Sequence, residues 1–477
     1  MNFDLDCHTR RELGYHLIDV VDSYFGSLPD RPVQRPAKDR IYRPYESPLP
    51  ETGEDPGKVL DEVCRELIDN GFHIPSAHYL GMMNPTPTYM AFLAESLVAA
   101  LNPQLATVAR SPLTSRIEAE TVRWIGELVG WPGAFSGTFT TGGNEANFSA
   151  LAMALSKRFP DVIENGVASI GAPPVFYASQ EAHHSLEKSA GVLGLGRRAL
   201  RRIPVDERLH MNVRGLETAI ETDLAAGNKP FCVVGTAGTT SSGAIDELPL
   251  VAEICRRHNL WFHVDGAYGA ALLFSQRHRS LVRGIEQADS VTLDPHKWLA
   301  MPFSVGLVLT QHPEALLHTF SVPCPYLQKS SAGLPDNLSI SAQWSRRMNS
   351  LKLWLTLRVH GRQAYQQLID RQMKLAEDFA RWVTASNSFE LAAPQVLPIL
   401  NLRVKGSDAR PQQLHACHSS IIEMVNRDGQ RWISEAMVNG HSAIRTMIIS
   451  YLSEERHLHG LQAALQTAVA SAASLAA

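Results

Sequence analysis

Only six cysteines occur in 477 residues, and none belongs to a CxxC pair. Cys7, Cys64, Cys232, Cys255, Cys324 and Cys417 are scattered. The thiols are therefore read as reduced, with no disulfide framework and no metal site expected. Long apolar runs are also missing: the alanine-rich tail after Leu461 is interrupted by Gln and Ser, so no membrane span is expected. The start, Met1-Asn2-Phe3-Asp4-Leu5-Asp6, lacks the basic and apolar regions of a signal peptide, which predicts a cytoplasmic location. Nor is there an excess of one charge. Lys and Arg number 44 against 48 Asp and Glu, a balance of −4. With no basic run for a phosphate backbone to follow, no nucleic-acid partner is expected.

What is present is the composition of a globular enzyme, 44% hydrophobic and 19% charged, in a chain long enough for more than one domain. Residues 1–75 read as a mainly helical arm, with an irregular Pro-rich strap over 31–50 and an amphipathic helix over 59–69 stopped by Gly71. From 76 to 356, helical stretches alternate with short apolar strands at 174–178, 231–236, 260–264, 290–293 and 305–309. That alternation predicts parallel strands joined by helical crossovers. Ser111-Pro112 marks a helix start. A long helix over 348–385 leads into a smaller α+β unit, 357–477, with strands at 399–404 and 443–449.

Five motifs carry the chemistry. Thr140-Thr141-Gly142-Gly143-Asn144-Glu145-Ala146-Asn147 lies between an apparent strand and a helix over 148–158. Its glycines allow close backbone approach, and a helix start favours an anion. Ala182-His183-His184-Ser185 follows the strand at 174–178 and offers an imidazole for stacking or proton handling. Gly235-Thr236-Ala237-Gly238-Thr239-Thr240 closes another strand with small hydroxylated residues. Leu260-Trp261-Phe262-His263-Val264-Asp265-Gly266-Ala267 ends an apolar strand in a carboxylate, at the sheet edge where α/β ligand sites collect. Asp294-Pro295-His296-Lys297-Trp298 also follows a strand, and a partly desolvated lysine there suits Schiff-base chemistry. Singly, each motif is more simply a turn, a cap or a solvated surface group.

Together they resemble a family. Ala182-His183, Gly238-Thr239-Thr240, His263-Val264-Asp265, Pro295-His296-Lys297-Trp298 and Ser350-Leu351-Lys352 stand in the order found in group II pyridoxal-phosphate decarboxylases. The likeness covers nearly the whole chain and is greatest to the aromatic-L-amino-acid decarboxylase branch. It implies the aspartate-aminotransferase-like α/β fold: a large domain with a mostly parallel seven-stranded sheet, and a small C-terminal α+β domain. It also implies a homodimer and pyridoxal 5′-phosphate as cofactor. The implied reaction takes an L-amino acid, an aromatic one by the branch, to its amine and CO₂ through a Lys297 aldimine and a quinonoid. Asp265 would pair with the pyridine nitrogen and keep the ring an electron sink. His183 would stack on the ring face opposite Ala267. Gly143, Asn144 and His296 would lie near the phosphate, and Thr240 near the ring. Met82, Met83 and Asn84 would line the substrate pocket, and Asp246 would brace its loop.

Three departures qualify the resemblance. Asn337 stands where the family's mobile loop carries a proton-donating tyrosine, and an amide is no general acid. Tyr326 lies further upstream. Such loop changes can divert the carbanion to oxygen, so an aldehyde synthase is the alternative activity. Asp294 replaces an amide beside the phosphate and is expected to turn away from it or bind backbone. Ala106 stands where the aromatic branch places a ring from the neighbouring subunit. Nothing in the sequence plainly offers a bidentate partner for an acidic substrate side chain.

Overall fold

The computed structural model describes residues 3–39, 48–324, 333–406 and 411–476. Tyr326 and part of the expected strap, 40–47, lie outside them. Among the described residues no helix is long and apolar enough to cross a membrane.

The arm holds helices α1 (Cys7–Ser27) and α2 (Pro56–Asn70). Asp6 and Asp55 cap them through side-chain oxygens that accept first-turn N–H groups. Neither helix has a fully buried residue. Helices α3 (Tyr89–Leu101) and α4 (Pro112–Val129) follow. Pro112 opens α4 as expected, but Ser111 does not cap it, since its hydroxyl donates to the Gln104 carbonyl instead.

The large sheet contains β1 (Ser136–Thr140), β2 (Pro174–Ser179), β3 (Leu200–Ile203), β4 (Lys229–Thr236), β5 (Trp261–Asp265), β6 (Ser290–Leu293) and β7 (Gly306–Thr310). Their order is β1-β7-β6-β5-β4-β2-β3. Strands β2 to β6 pair in parallel, while β7 runs antiparallel to both β1 and β6. Every residue of β2, β5 and β6 is buried, as a sheet covered by helices on both faces requires. Two reversals across β7 leave β1 pointing the same way as β6. The loops after β1, β2, β4, β5 and β6 therefore gather at one edge.

Helix α5 (Gly143–Arg158) begins at Gly143 rather than at Phe148. The Gly-Gly turn is thus the helix start itself. The long helix Ser350–Ala385 crosses the expected domain boundary and breaks at Gly361, whose φ of 71° suits a glycine. Beyond it an antiparallel sheet of β8 (Phe389–Leu391), β9 (Ile399–Val404), β10 (Ser434–Val438) and β11 (His441–Met447) has the order β10-β11-β9-β8.

Candidate active site

The carboxyl edge of the parallel strands encloses a cavity of about 280 Å³. Lys297, Asp265, His183, Ala267, Gly143, Asn144, Thr240 and His296 all line it. Of the expected substrate-pocket residues only Met83 does so. Met82 is partly exposed and its Sδ lies 2.8 Å from Arg445 Nη2, outside the lining. Asn84 is also outside it.

Asp265 ends β5 and is 6% exposed. Its Oδ1 accepts the Ala267 N–H at 3.1 Å and its Oδ2 accepts from Asn147 Nδ2 at 2.8 Å. Behind Asn147 runs a chain of hydrogen bonds. Trp261 Nε1 donates to Ser290 Oγ (2.8 Å), and Ser290 Oγ lies 2.8 Å from His263 Nδ1. His263 Nε2 then lies 3.1 Å from Asn147 Oδ1. Complete burial pushes the His263 imidazole down to about 4, so it is neutral and carries a single proton. His263 Nδ1 also lies 3.1 Å from the Ser290 carbonyl, and the Asn147 amide links this buried network to Asp265. Asn147 and His263 stood in the motifs without a role. The signal for Asn147 was present: a poor helix former amid the apolar face of α5 needs a buried partner.

His183 follows β2, with part of its ring open to the cavity. The Ser185 N–H donates to its Nδ1 at 3.1 Å, which leaves the ring proton on Nε2. Desolvation, the largest cause, pushes the imidazole below its ordinary value of 6.5 against the pull of Asp265. His183 is thus a neutral donor near neutral pH.

Lys297 is held by what surrounds it. The Lys297 N–H donates to the Asp294 carbonyl at 3.0 Å, and the Trp298 ring stacks on Tyr268 at 4.8 Å. Trp298 Nε1 donates to Gln372 Oε1 at 2.6 Å. His296, pushed down by burial, keeps Nδ1 2.6 Å from the Val305 carbonyl. Asp294 does not turn away as expected: its Oδ2 lies 3.2 Å from Lys297 Nζ. The reason is charge, since a carboxylate only 3% exposed needs a cation and Lys297 is at hand.

Asp246 braces its loop, accepting the Met211 and Thr236 N–H groups at 2.7 Å each. Asn337 is buried outside the cavity, in a short turn where its Nδ2 donates to Ser115 Oγ at 3.2 Å. Ala106 is also outside, and its carbonyl accepts the Leu338 N–H at 3.0 Å. Arg445, unforeseen in the sequence, reaches from the small domain. It is 6% exposed, donates to the Thr240 carbonyl at 3.0 Å and meets no carboxylate among the described residues.

These residues fit a phosphorylated pyridine aldehyde. Gly142, at φ 140°, turns the chain into α5, whose first N–H groups would be open to an anion such as a phosphate. A Cβ on Gly143 would lie 2.8 Å from Asp294 Oδ2 and 3.2 Å from the Ala267 Cβ. Thr236 Oγ1, a hydroxyl on a lining residue, is buried without a hydrogen-bond partner among the described residues. Gly143→Ala is accordingly expected to weaken cofactor binding about tenfold or more through overpacking, measured by titrating the apoprotein and following visible absorbance.

The model of the pyridoxal-dependent decarboxylase conserved domain matches residues 41–405. The chain belongs to the pyridoxal-dependent decarboxylase family. Its cofactor is pyridoxal 5′-phosphate, and it is an amino-acid decarboxylase of this fold. An aromatic-L-amino-acid decarboxylase of Bacillus atrophaeus is 30% identical to it, over 94% of this chain and 93% of that one. A phenylacetaldehyde synthase of Arabidopsis thaliana is 26% identical over 95% and 94%. Mouse CSAD superposes with a TM-score of 0.90 at 26% identity, covering 97% of this decarboxylase and 99% of that chain. The relatives thus include both a decarboxylase and an aldehyde synthase.

Proposed function

We propose that this decarboxylase converts an aromatic L-amino acid to the corresponding amine and CO₂, with Lys297 carrying the cofactor. The observation that carries the reading is the convergence of Lys297, Asp265 and His183 on one cavity. The bound cofactor supplies the electron sink into which the pair left by CO₂ is drawn. The chain's own residues do the rest. The α5 terminus binds the phosphate, and Asp265 holds a proton at the pyridine nitrogen. His183 and Ala267 would pack against opposite faces of the ring and hold it in place. The aromatic assignment rests on the decarboxylase relatives and on the adaptable Met83 in the lining.

His183 is assigned as a neutral stacking ring: its Nδ1 accepts the Ser185 N–H, and an imidazolium there would oppose the protonated pyridine nitrogen. An imidazole with a lowered pKa is neutral above that value and charged below it. The His183-dependent activity therefore persists at neutral pH and is lost as pH falls through that lowered value. His183→Asn is expected to cut amine formation about a hundredfold through a misplaced ring and remove that acidic limb from the pH profile of kcat/KM. An unchanged limb assigns it elsewhere.

One observation favours a second reading. The amide Asn337, standing at the loop-tyrosine position, is engaged by Ser115, and an aldehyde synthase is among the relatives. Oxidative decarboxylation would consume O₂ and water and give aldehyde, CO₂, ammonia and H₂O₂. Assaying a panel of aromatic L-amino acids for amine, aldehyde and peroxide together decides the matter. Amine with CO₂ supports the first reading, and aldehyde with peroxide the second.

Dimerisation is part of the same proposal. Helices α1 and α2 bury no residue fully, and Ile18, Val63 and Leu67, with Leu97 and Leu101 of α3, are exposed. Such a surface needs a partner, and a second copy is the occupant expected. An active monomer in size-exclusion chromatography would contradict it.

A further inference from the structure

Asp294 is a carboxylate placed where the cofactor's phosphate helix begins. Its Oδ2 lies 2.8 Å from the point a Gly143 Cβ would occupy, so it sits against the first residue of α5. It is 3% exposed. Oδ1 has no hydrogen-bond partner among the described residues, and Oδ2 meets Lys297 Nζ at 3.2 Å. The nearest other candidate, His296 Nε2, is 3.8 Å away, and its ring is kept neutral by burial. Lys297 makes no other ion pair among the described residues. The backbone fixes the geometry: the Asp294 N–H donates to Ala267 O at 3.1 Å, and its carbonyl accepts the Lys297 N–H at 3.0 Å. The two side chains are thus three residues apart in one tight turn, built to meet.

We propose that Asp294 is a positioning residue that docks the Lys297 ammonium whenever that side chain is not bonded to the cofactor. The proposal rests on Lys297 being the cofactor lysine. It gives Asp294 a task at two points, when cofactor first enters and when an incoming amine has displaced the lysine. In the first, the ammonium gives up one proton and its nitrogen bonds to the aldehyde carbon. The aldehyde oxygen leaves as water with the two remaining amine hydrogens, and the released proton passes to solvent, leaving Asp294 a carboxylate. In the second, an alkylammonium exchanges with the lysine, which leaves as an ammonium ion and returns to Asp294. The carboxylate therefore stabilises the free-lysine side of both equilibria.

Removing the charge moves the two equilibria in opposite directions, which damage to the site does not do. With Asp294→Asn, apoprotein is expected to capture pyridoxal about tenfold more tightly, the size of one charge-assisted hydrogen bond. Pyridoxal lacks the phosphate, so this arm is free of repulsion between carboxylate and phosphate. In the holoprotein of the same variant, methylamine is expected to displace Lys297 about tenfold less readily. Both are read as midpoints of visible-absorbance titrations. Asp294→Glu, which restores the charge, should move both back toward the parent values, and Asp294→Ser replaces the asparagine variant should that not fold.

Two unchanged midpoints, or a loss of affinity for pyridoxal and methylamine alike, overturn the proposal. Borohydride reduction and peptide mapping of the parent holoprotein keep the two readings apart. Label absent from Lys297 overturns its assignment as the cofactor lysine, whereas label on Lys297 with unmoved midpoints overturns only the role of Asp294.

Discussion

Lys297→Ala is expected to lower turnover by about three orders of magnitude or more, the scale of losing a covalent catalyst, and to abolish the visible band that borohydride removes. The substitution also strands Asp294, whose carboxylate is buried and pairs with Lys297 at 3.2 Å. A drop in thermal stability of the apoprotein should accompany it, because an unpaired buried charge is strongly destabilising. Lys297→Arg separates the two effects. A guanidinium keeps the ion pair but is no nucleophile at neutral pH, so this variant should be as inactive as the alanine yet melt near the parent temperature. An arginine variant with appreciable turnover would remove Lys297 from the chemistry.

The second large effect is expected at Asp265. Asp265→Asn preserves shape but removes the negative charge that holds a proton on the pyridine nitrogen, and with it the pull on the electrons left by CO₂. A fall in kcat of about a hundredfold or more is expected, in line with removing a preorganised charge from an enclosed site. KM should change little and the visible band should remain, since Lys297 and the α5 terminus are untouched. The Asn147 amide then faces another amide, so Asp265→Glu, which restores charge at shifted geometry, should recover part of the rate. Equal rates in the parent and the asparagine variant would assign the pyridine contact elsewhere.

The parts of the site that were legible in the sequence share a cause. Asp265 ends an apolar strand and Lys297 and His183 stand just past one, and parallel strands deliver such positions to one edge. The residues that escaped notice reach the site differently. Asn147 enters from the second turn of α5, and Arg445 from the antiparallel sheet of the small domain; neither position is marked by a strand end. The direction of the Asp294 carboxylate also escaped. A phosphate would repel it, whereas a lysine one turn away attracts it and sets its direction.

The strands followed the same logic. The missed ones, β3, β8 and β10, are all sheet edges. An edge strand pairs on one side only and carries charge without cost. Leu200-Arg201-Arg202-Ile203 accordingly shows no apolar run, and Arg201 and Arg202 find partners in Asp223 (2.8 Å) and Glu187 (2.9 Å). Interior strands such as β2 and β6, buried throughout, declared themselves by composition alone.

The most direct measurement is the covalent address of the cofactor. Apoprotein reconstituted with pyridoxal 5′-phosphate, reduced with borohydride and digested, should yield a single pyridoxyl-modified peptide, with the modification on Lys297 of Asp294-Pro295-His296-Lys297-Trp298. Label on Lys352 or another lysine, or reduction that leaves no label on a protein binding the cofactor, would contradict the assignment of Lys297.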